Sequence, residues 1–374
     1  MKILFVCGTR PEAIKLCPVL QHLRSRGTDF DVQLCVTAQH RHLLDQVLGA
    51  FGVTPDYDLD LMLPGQSLYQ STSRIVAALE PVLAVARPDM VLVQGDTTTT
   101  FCGALAAFYA HVPVGHVEAG LRTGDWYQPF PEELNRVLTG RLARLHFAAT
   151  DGARANLLRE GVDPAWISVT GNTCIDAVLY VRDGLDGGRL PTPAWPWLDP
   201  SRQLILVTAH RRESFGGGMD QICGALADLA QRPDVQIVFP VHPNPNVQDP
   251  VRRHLAGVSN VILIEPQSYI PFVDLMRRAC LLLTDSGGIQ EEGPSLGKPV
   301  LVMREKTERP EAVAAGTVKL VGADRTAICG EVSRLLDDDP ERLRMSRIHN
   351  PYGDGHASTR IAHVIHSFFK TNSF

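Results

Sequence analysis

The chain has 374 residues, which predicts about two domains of ~100–200 residues each. It carries 36 Lys and Arg residues against 41 Asp and Glu residues, a formal net charge of −5, which argues against the basic surface that nucleic-acid binding requires. No apolar run reaches the ~18–20 residues of a membrane span, and the cysteines include no CxxC pair. The sequence therefore predicts a cytoplasmic globular protein with no nucleic-acid or membrane partner and no metal site.

Short runs rich in Val, Ile and Leu alternate along the chain with longer amphipathic stretches. This pattern is typical of parallel strands that are buried on both faces and joined by helices. In the first half we predict strands at 2–7, 31–37, 90–94, 112–117, 145–148 and 167–169. In the second half we predict strands at 204–208, 236–241, 261–264, 281–284, 300–302 and 318–321.

Because the strand pattern runs twice, the sequence predicts two doubly wound, Rossmann-like α/β domains. If these domains face each other across a cleft through their carboxyl edges, the polar residues after their strands converge on one site. The first domain is predicted at 1–182 and the second at 204–355. The stretch 183–203 between them is rich in Gly and Pro and is predicted as a linker. A last helix is predicted at 357–370, and it can pack back on the first domain.

Polar residues follow the predicted strands of the first half, where parallel sheets bind ligands. Arg10 and Lys15 lie near a predicted helix start that attracts anions, although surface cations in a loop would look the same. Asp96 precedes the hydroxyl cluster 97–100, and a helix cap explains one or two of these hydroxyls but not the whole cluster. Glu118 follows the next strand and would share a face with His116, which alone is more simply a structural histidine.

Two prolines deliver Glu132 and Glu133 to a predicted helix start, a pattern that the helix dipole alone also favours. In the second half, His210 and His242 follow strands, and Gly216–Gly218 is predicted as a mobile loop. The turn Ser286-Gly287-Gly288 opens a helix with bare N–H groups that suit a phosphate, and Glu292 lies one turn further on, where it could accept from sugar hydroxyls. A charge-favoured first turn explains Glu292 equally well in isolation.

The joint pattern of these residues is stronger evidence for the kind of ligand and chemistry than any single residue is. Cations and glycine-opened helix starts favour a phosphorylated ligand, whereas carboxylates and histidines favour acid–base chemistry. No GxGxxG motif occurs, which argues against a nicotinamide or flavin cofactor. The residues alone thus predict an enzyme that acts on a nucleotide-sugar or a similar anion.

The chain resembles the non-hydrolysing UDP-N-acetylglucosamine 2-epimerases over nearly its whole length. The resemblance rests on GTRPEAIK at 8–15, TAQH at 37–40, GDTTTT at 95–100, GHVEAGLRTGD at 115–125, PEELNR at 131–136, HRRESFG at 210–216, TDSGGIQEE at 284–292 and ERPEA at 308–312. Ala209 and Phe130 are small departures, since many relatives have Gly and Trp there. The resemblance implies a GT-B-like fold and a cytoplasmic homodimer that supplies UDP-N-acetylmannosamine for cell-envelope polysaccharides.

The resemblance also implies roles for individual residues. The residues that match the catalytic group are Asp96, Glu118, Glu132 and His210. Those that match substrate-binding positions are Arg10, Lys15, Ser286, Gly287, Gly288 and Arg309 for the diphosphate and cleft, Glu292 for the ribose, and Gln267 and Phe272 for the uracil. Some members bind a second, activating substrate molecule, and the candidate residues for such a site are Gln39, Arg212 and His242.

The reaction that the resemblance implies is reversible epimerisation at C2 through elimination of UDP, a 2-acetamidoglucal intermediate and readdition of UDP. It needs one ionised and one protonated carboxyl group on opposite faces of C2. We favour Asp96 as the base, Glu132 as the acid and Glu118 as an orienting or sugar-binding group. The alternatives are a hydrolysing 2-epimerase that releases N-acetylmannosamine and UDP, and a glycosyltransferase, which would need an acceptor.

Overall fold

A computed structural model of the chain describes residues 1–37, 41–63 and 65–371, without the side chains of 41–43. The described residues form two parallel sheets, one of seven strands and one of six. The chain divides into two compact units, and each sheet belongs to one of them. Unit 1 comprises Met1–Ala177 and the segment from Tyr352 onward, and unit 2 comprises Val178–Pro351.

Unit 1 has the strand order β3-β2-β1-β4-β5-β6-β7. Its strands are β1 (Lys2–Cys7), β2 (Asp31–Val36), β3 (Tyr57–Asp58), β4 (Met90–Gln94), β5 (Val114–Ala119), β6 (Leu145–Ala148) and β7 (Ile167–Val169). Its helices are α1 (Arg10–Ser25), α2 (Arg41–Ala50), α3 (Leu68–Ala86), α4 (Thr98–Tyr109), α5 (Glu132–Leu142), α6 (Asp151–Arg159), the first part of α7 (Thr173–Asp186) and α15 (Ala357–Thr371). Helix α15 packs against α1.

Unit 2 has the strand order β10-β9-β8-β11-β12-β13. Its strands are β8 (Gln203–Thr208), β9 (Val235–Pro240), β10 (Val261–Ile264), β11 (Leu281–Thr284), β12 (Val300–Val302) and β13 (Val318–Leu320). Its helices are α8 (Gly217–Leu229), α9 (Pro245–Leu255), α10 (Tyr269–Arg278), α11 (Gly287–Ser295), α12 (Pro310–Ala315), α13 (Arg325–Asp337) and α14 (Asp339–Arg347). Every strand pairs in parallel with its neighbours, so the strand ends of each unit meet at one edge.

The division between the units falls inside α7, ahead of the predicted break near Asp183. The stretch 187–202, which is rich in Gly and Pro, lies between α7 and β8 and belongs to unit 2. The expectation of a mobile loop at Gly216–Gly218 is wrong for Gly217 and Gly218, since these form the first turn of α8. Gly216 precedes that helix with a φ of 76°, a conformation that favours glycine.

Buried strands fix the loops at the carboxyl edge of each sheet. The residues of β4 and β5 are buried throughout, and so is all of β1 except Lys2. The loops after β1, β4 and β6 end in threonines that cap the next helix by accepting from backbone N–H groups: Thr9 caps α1, Thr97 caps α4 and Thr150 caps α6. These caps hold each helix start, and the residues beside it, against the sheet edge.

The cysteine side chains are free thiols, and most of them are packed in the cores. Burial raises the thiol pKa to about 12 at Cys17, Cys35, Cys102 and Cys223. Only Cys280 and Cys329, both in unit 2, are partly exposed. Among the described helices, none combines the length and the apolar character that crossing a bilayer demands.

Candidate active site

In unit 1, Glu118 accepts hydrogen bonds from three side chains of other segments. The Lys15 ammonium lies 2.6 Å from its Oε1 and 2.8 Å from its Oε2. Asn172 donates to Oε1 at 3.0 Å, and Gln94 donates to Oε2. The Glu118 side chain is 5% exposed and that of Lys15 is 17% exposed, so this is a largely buried ion pair. Glu118 is therefore held as a carboxylate in one fixed orientation.

The structure corrects the predicted placement of Glu118. It lies within β5 rather than after it, and the pairing of β5 with β6 shifts register between Val117 and Ala119. Glu118 has a φ of 63°, so the strand bulges at this residue and the expected alternation with His116 does not hold. The bulge turns the carboxylate toward Lys15 instead of leaving it on the face of His116.

Asp96 lies in the turn between β4 and α4, with its side chain 29% exposed. The Arg136 guanidinium pairs with its Oδ2 at 2.7 Å, and the Asn135 amide donates to its backbone carbonyl at 3.0 Å. Burial raises the pKa of Asp96, while the charge of Arg136 opposes the rise and the charges of Glu118 and Glu132 add to it. Asp96 is thus an accessible carboxyl group in the electrostatic field of two other acids.

The two acids at the start of α5 differ in their surroundings. Glu133 is buried and accepts from the backbone N–H groups of Thr123 and Gly124, at 3.1 Å in each case. Glu132 is the first residue of α5 and is only half-buried. The structure therefore separates a loop-holding acid, Glu133, from Glu132, the one predicted to transfer a proton. Arg10 is also half-buried, at the first residue of α1.

His116 is a buried structural residue, as expected. Its Nε2 lies 2.7 Å from the carbonyl oxygen of Gly95, and burial lowers its pKa from 6.5 to about 3. Burial also lowers the pKa of His146, to about 4. Both rings are therefore neutral in the folded protein at neutral pH, and the fold does not use them as charged groups.

These histidines predict a loss of stability in acid. Since the folded-state pKa lies below the unfolded value, the contribution is present above pH 6.5 and is lost as the pH falls toward 3. Each ring should lower the free energy of unfolding by up to about 1.4 kcal/mol per pH unit in that window. Urea unfolding at several pH values should show a shallower pH dependence for His116→Gln than for the wild type. His356→Gln, at an exposed histidine, serves as the control and should keep the wild-type slope.

In unit 2, His210 is held by Asp285, whose side chain is fully buried. The His210 Nδ1 lies 3.2 Å from Asp285 Oδ1, and Oδ2 accepts from the backbone N–H groups of His210 and Arg211 at 2.6 and 2.7 Å. The carboxylate thereby holds the backbone of the loop that carries His210, with the Nδ1 edge of the ring toward Asp285 and Nε2 on the other edge. The His210 side chain is 38% exposed, so it is available to a ligand.

The start of α11 presents the turn predicted to bind phosphate. Ser286 is the residue before the helix, and Gly287 and Gly288 are its first residues. A Cβ on Gly287 would lie 3.1 Å from the guanidinium carbon of Arg309, so a larger residue would crowd the arginine. Arg309 donates from Nε to the buried Glu291 at 2.8 Å. A cation and bare helix N–H groups are therefore adjacent here, as anion binding requires.

The predicted nucleoside contacts lie beside this turn. Glu292 accepts from the hydroxyl of Tyr269 at 3.2 Å, and Tyr269 begins α10. Phe272 lies in the first turn of α10, and Gln267 precedes that helix with its amide bonded to the carbonyl oxygen of Glu265 at 2.7 Å. Unit 2 thus carries the residues that the resemblance assigned to the ribose and uracil and part of those assigned to the diphosphate, whereas Arg10 and Lys15 lie in unit 1.

The candidate activator residues are placed only in part. Gln39 lies outside the described residues. Arg212 and His242 are exposed in unit 2, and the rings of His242 and His210 are stacked with centroids 5.8 Å apart and planes 16° apart. His242 therefore adjoins the predicted catalytic histidine rather than forming a separate cluster.

Several residues of this site were not predicted individually. Gln94, Asn172 and Arg136 contact the two acids Glu118 and Asp96, and Asp285 bonds the backbone of His210. Asp285 had a usable signal, because it directly follows a buried strand. No metal-binding group of three or more His, Cys, Asp or Glu residues occurs in the ranges that the structure describes.

Two parallel α/β units, one with an acid cluster and one with a glycine-opened helix start, define a two-domain enzyme with a GT-B-like fold. A sucrose-phosphate synthase from Thermosynechococcus elongatus has a TM-score of 0.64 at 12% identity, covering 100% of both chains, which shows the fold alone. The family model for UDP-N-acetylglucosamine 2-epimerase matches residues 22–366. The chain belongs to the UDP-N-acetylglucosamine 2-epimerase family, as its motifs predicted.

Two relatives illustrate how far the family likeness extends. The UDP-N-acetylglucosamine 2-epimerase of Escherichia coli K12 is 60% identical over 370 residues, covering 98% of each chain. The crystal structure of UDP-GlcNAc 2-epimerase from Neisseria meningitidis bound to UDP-GlcNAc has a TM-score of 0.89 at 49% identity. It covers 98% of this chain and 99% of the other. The likeness thus includes both units.

Proposed function

We propose that this chain catalyses the reversible epimerisation of UDP-N-acetylglucosamine to UDP-N-acetylmannosamine, without a cofactor. The observation that carries the proposal is the full-length likeness to enzymes named for this reaction, in a chain that keeps Asp96, Glu118, Glu132 and His210. The Neisseria meningitidis relative has UDP-GlcNAc bound, which supports the same ligand here.

The proposed reaction begins with elimination. The bond between C1 and the diphosphate oxygen breaks, its electrons leave with UDP, and the ring becomes oxocarbenium-like. The C2 hydrogen is then acidic enough for a carboxylate to take it, which leaves 2-acetamidoglucal. In the return step a UDP oxygen re-forms the bond to C1 while a second carboxyl group delivers a proton to the opposite face of C2.

The contacts in unit 1 support different roles for its acids. Asp96 is partly exposed and its pKa is raised, as suits a group that gains and loses a proton. Glu132 is the proposed acid for the opposite face. Glu118 is bonded to Lys15, Gln94 and Asn172, which supports an orienting role rather than proton transfer.

Unit 2 is proposed to bind the nucleotide. The diphosphate would be held by Ser286, Gly287, Gly288 and Arg309. The partial positive charge of the helix N-terminus and the charge of Arg309 would stabilise the departing UDP in the transition state. Arg10, Lys15 and His210 are proposed to add further positive charge, with the Lys15 charge already placed beside Glu118. Glu292 is proposed for the ribose, and Gln267 and Phe272 for the uracil.

The proposal extends to assembly, regulation and cellular role. We propose a cytoplasmic homodimer that supplies cell-envelope polysaccharide synthesis. Exposed apolar side chains on the neighbouring helices α3 and α4, namely Val85, Phe108 and Tyr109, support a contact with a second copy there. An activating substrate molecule is proposed to bind Gln39, Arg212 and His242. Because the His242 ring stacks on the His210 ring, a ligand that contacts His242 would act on the proposed catalytic histidine directly.

Incubation with UDP-N-acetylglucosamine in D2O, followed by proton NMR, tests the proposed reaction. We expect deuterium at C2 and a new anomeric proton that is still coupled to phosphorus. Free N-acetylmannosamine with UDP would identify a hydrolysing 2-epimerase instead. A requirement for an added acceptor sugar would identify a glycosyltransferase.

A further inference from the structure

Glu12 is a buried carboxyl group that the proposed reaction leaves without a role. It lies in the first turn of α1 and is 1% exposed. Its Oε2 accepts from the backbone N–H groups of Gly8 and Thr9 at 3.1 and 2.7 Å, which completes a capping box with Thr9. A capping box needs only this oxygen, and it ordinarily lies at the surface, so the burial of Glu12 requires a further explanation.

The second oxygen of Glu12 contacts a different loop. Oε1 lies 2.8 Å from the Thr97 hydroxyl and 3.1 Å from the Thr100 hydroxyl, at the start of α4. Thr97 caps α4 and directly follows Asp96. A helix cap explained only part of the hydroxyl cluster after β4. The contacts with Glu12 give two of these hydroxyls a second role. One carboxyl group joins the start of α1 to the turn that carries Asp96.

The bridge lies at the point where the strand order of unit 1 reverses. Strands β1 and β4 are neighbours in the sheet, and the loops after them lead to α1 and α4. Doubly wound domains bind phosphates in this crevice, at helix N-termini. Here Glu12 places a carboxyl group between two helix starts, and no ion pair joins it to a Lys, Arg or His within the described ranges. The dipoles of the two helix N-termini and the hydrogen-bond donors around Glu12 stabilise its buried carboxyl group instead.

Unit 2 repeats the arrangement at its own reversal point. Strands β8 and β11 are neighbours, and Asp285, at the end of β11, accepts from the backbone of the loop after β8. That carboxylate holds His210, another proposed catalytic residue. In each unit, then, a buried carboxyl group bridges the two loops at the reversal point and holds a loop that carries a proposed catalytic residue.

We propose that Glu12 is a positioning residue, whose carboxyl group ties the start of α1 to the start of α4 and so fixes Asp96 for proton transfer. The proposal rests on the proposed function of Asp96. From the other side, Asn135 and Arg136 of α5 bond the carbonyl and carboxylate of Asp96. With Glu12 removed, the turn loses its attachment to the start of α1 and keeps those to α5 and, through Gly95, to β5.

The hydrogen-bond pattern predicts which substitutions Glu12 tolerates. The Thr100 hydroxyl donates to the carbonyl oxygen of Gln94 at 2.6 Å, so its single proton is not available to Glu12. In Glu12→Gln, the amide oxygen can accept from Gly8 and Thr9 while the amide nitrogen donates to the threonine hydroxyls. Glu12→Gln should therefore keep the bridge. The aspartate side chain of Glu12→Asp is too short to reach both loops. Glu12→Leu removes the bridge while keeping a side chain of similar size.

Steady-state kinetics of these variants test the proposal. Glu12→Leu should lose about 100-fold in kcat, the effect of misplacing a catalytic group by about 1 Å, with KM for UDP-N-acetylglucosamine nearly unchanged. The kcat of Glu12→Asp should also decrease, and Glu12→Gln should keep most of the wild-type kcat. Wild-type kcat in Glu12→Leu, or an equal loss in Glu12→Gln, would overturn the proposal.

Asp176→Ala is the matched control. Asp176 is a buried carboxyl group of unit 1 that accepts from the N–H groups of Ala357 and Ser358 at the start of α15. Its removal should lower thermal stability and leave kcat unchanged, because it does not contact the Asp96 turn. A loss of kcat in Asp176→Ala equal to that in Glu12→Leu would show a general effect of stability and would also overturn the proposal.

A measurement without substrate separates this inference from the proposed function. Sodium formate should raise the thermal unfolding midpoint of Glu12→Ala, since formate can fill the vacated donor pocket, and should leave the wild-type midpoint unchanged. If the wild type does not turn over UDP-N-acetylglucosamine, the proposed function fails while the formate result still decides whether the bridge exists. No stabilisation by formate would overturn the bridge.

Discussion

Asp96→Asn should nearly abolish exchange of the C2 proton with solvent. Loss of a general base typically costs 10²–10⁴-fold, and we expect about 1,000-fold here. Asparagine keeps the size of the side chain and an oxygen for Arg136, which pairs with Asp96 at 2.7 Å, so the turn should keep its position. The measurement is the rate of deuterium incorporation at C2 in D2O, followed by proton NMR, with UDP binding determined in parallel by calorimetry.

Asp151→Asn is the control for this experiment. Asp151 begins α6 after strand β6 of the same sheet and is exposed. It should exchange and epimerise at the wild-type rate. Exchange at the wild-type rate in Asp96→Asn would exclude Asp96 as the base. Loss of UDP binding in Asp96→Asn would indicate a disrupted site rather than a missing base.

Glu118→Gln should cost both stability and activity. Lys15 and Asn172 donate to Oε1 of Glu118 and Lys15 and Gln94 donate to Oε2, so the amide nitrogen of a glutamine must face a donor on either side. The substitution also leaves the Lys15 ammonium without its carboxylate in a site where both side chains are mostly buried. Breaking a buried ion pair from one side costs about 3–5 kcal/mol, and urea unfolding should show a loss of about 3 kcal/mol.

The exposed pair of Lys2 and Asp31 provides the comparison. Its atoms are 3.7 Å apart and the Asp31 side chain is 59% exposed, so Asp31→Asn should change stability very little. Adding Lys15→Met to Glu118→Gln should recover part of the loss, because the unpaired charge is then gone. Equal stability of Glu118→Gln and Asp31→Asn would contradict the assignment of a buried, charge-paired Glu118.

The strands could be predicted from the sequence because most of them are buried on both faces. The predicted bounds of β1, β4, β6, β7, β10, β11 and β12 agree with the structure, since continuous apolar runs end sharply at polar loops. β3 escaped prediction because its two residues, Tyr57 and Asp58, are too few to form a pattern. The fold class followed from the repetition of strands and helices.

The contacts of the site could be predicted only in part. Motifs located the acids and the glycine turn, but Asn172 is 54 residues from Glu118 in sequence and Asp285 is 75 from His210. One sequence carries no distance information between such segments. The bulge at Glu118 also leaves no pattern in the sequence. Its positive φ, which is unusual for a glutamate, goes with tertiary contacts to Lys15 and Asn172.

The burial of the thiols has a practical consequence for spectroscopy. Maleimide reagents attack the thiolate, so the buried cysteines, with their high pKa values, should react slowly in the folded protein. Background labelling should then come mainly from Cys280 and Cys329, which are partly exposed although burial raises their thiol pKa as well, and replacing these two should leave little background. Fluorophores placed on one engineered cysteine in each unit would then test whether the units move during turnover, without rebuilding the core.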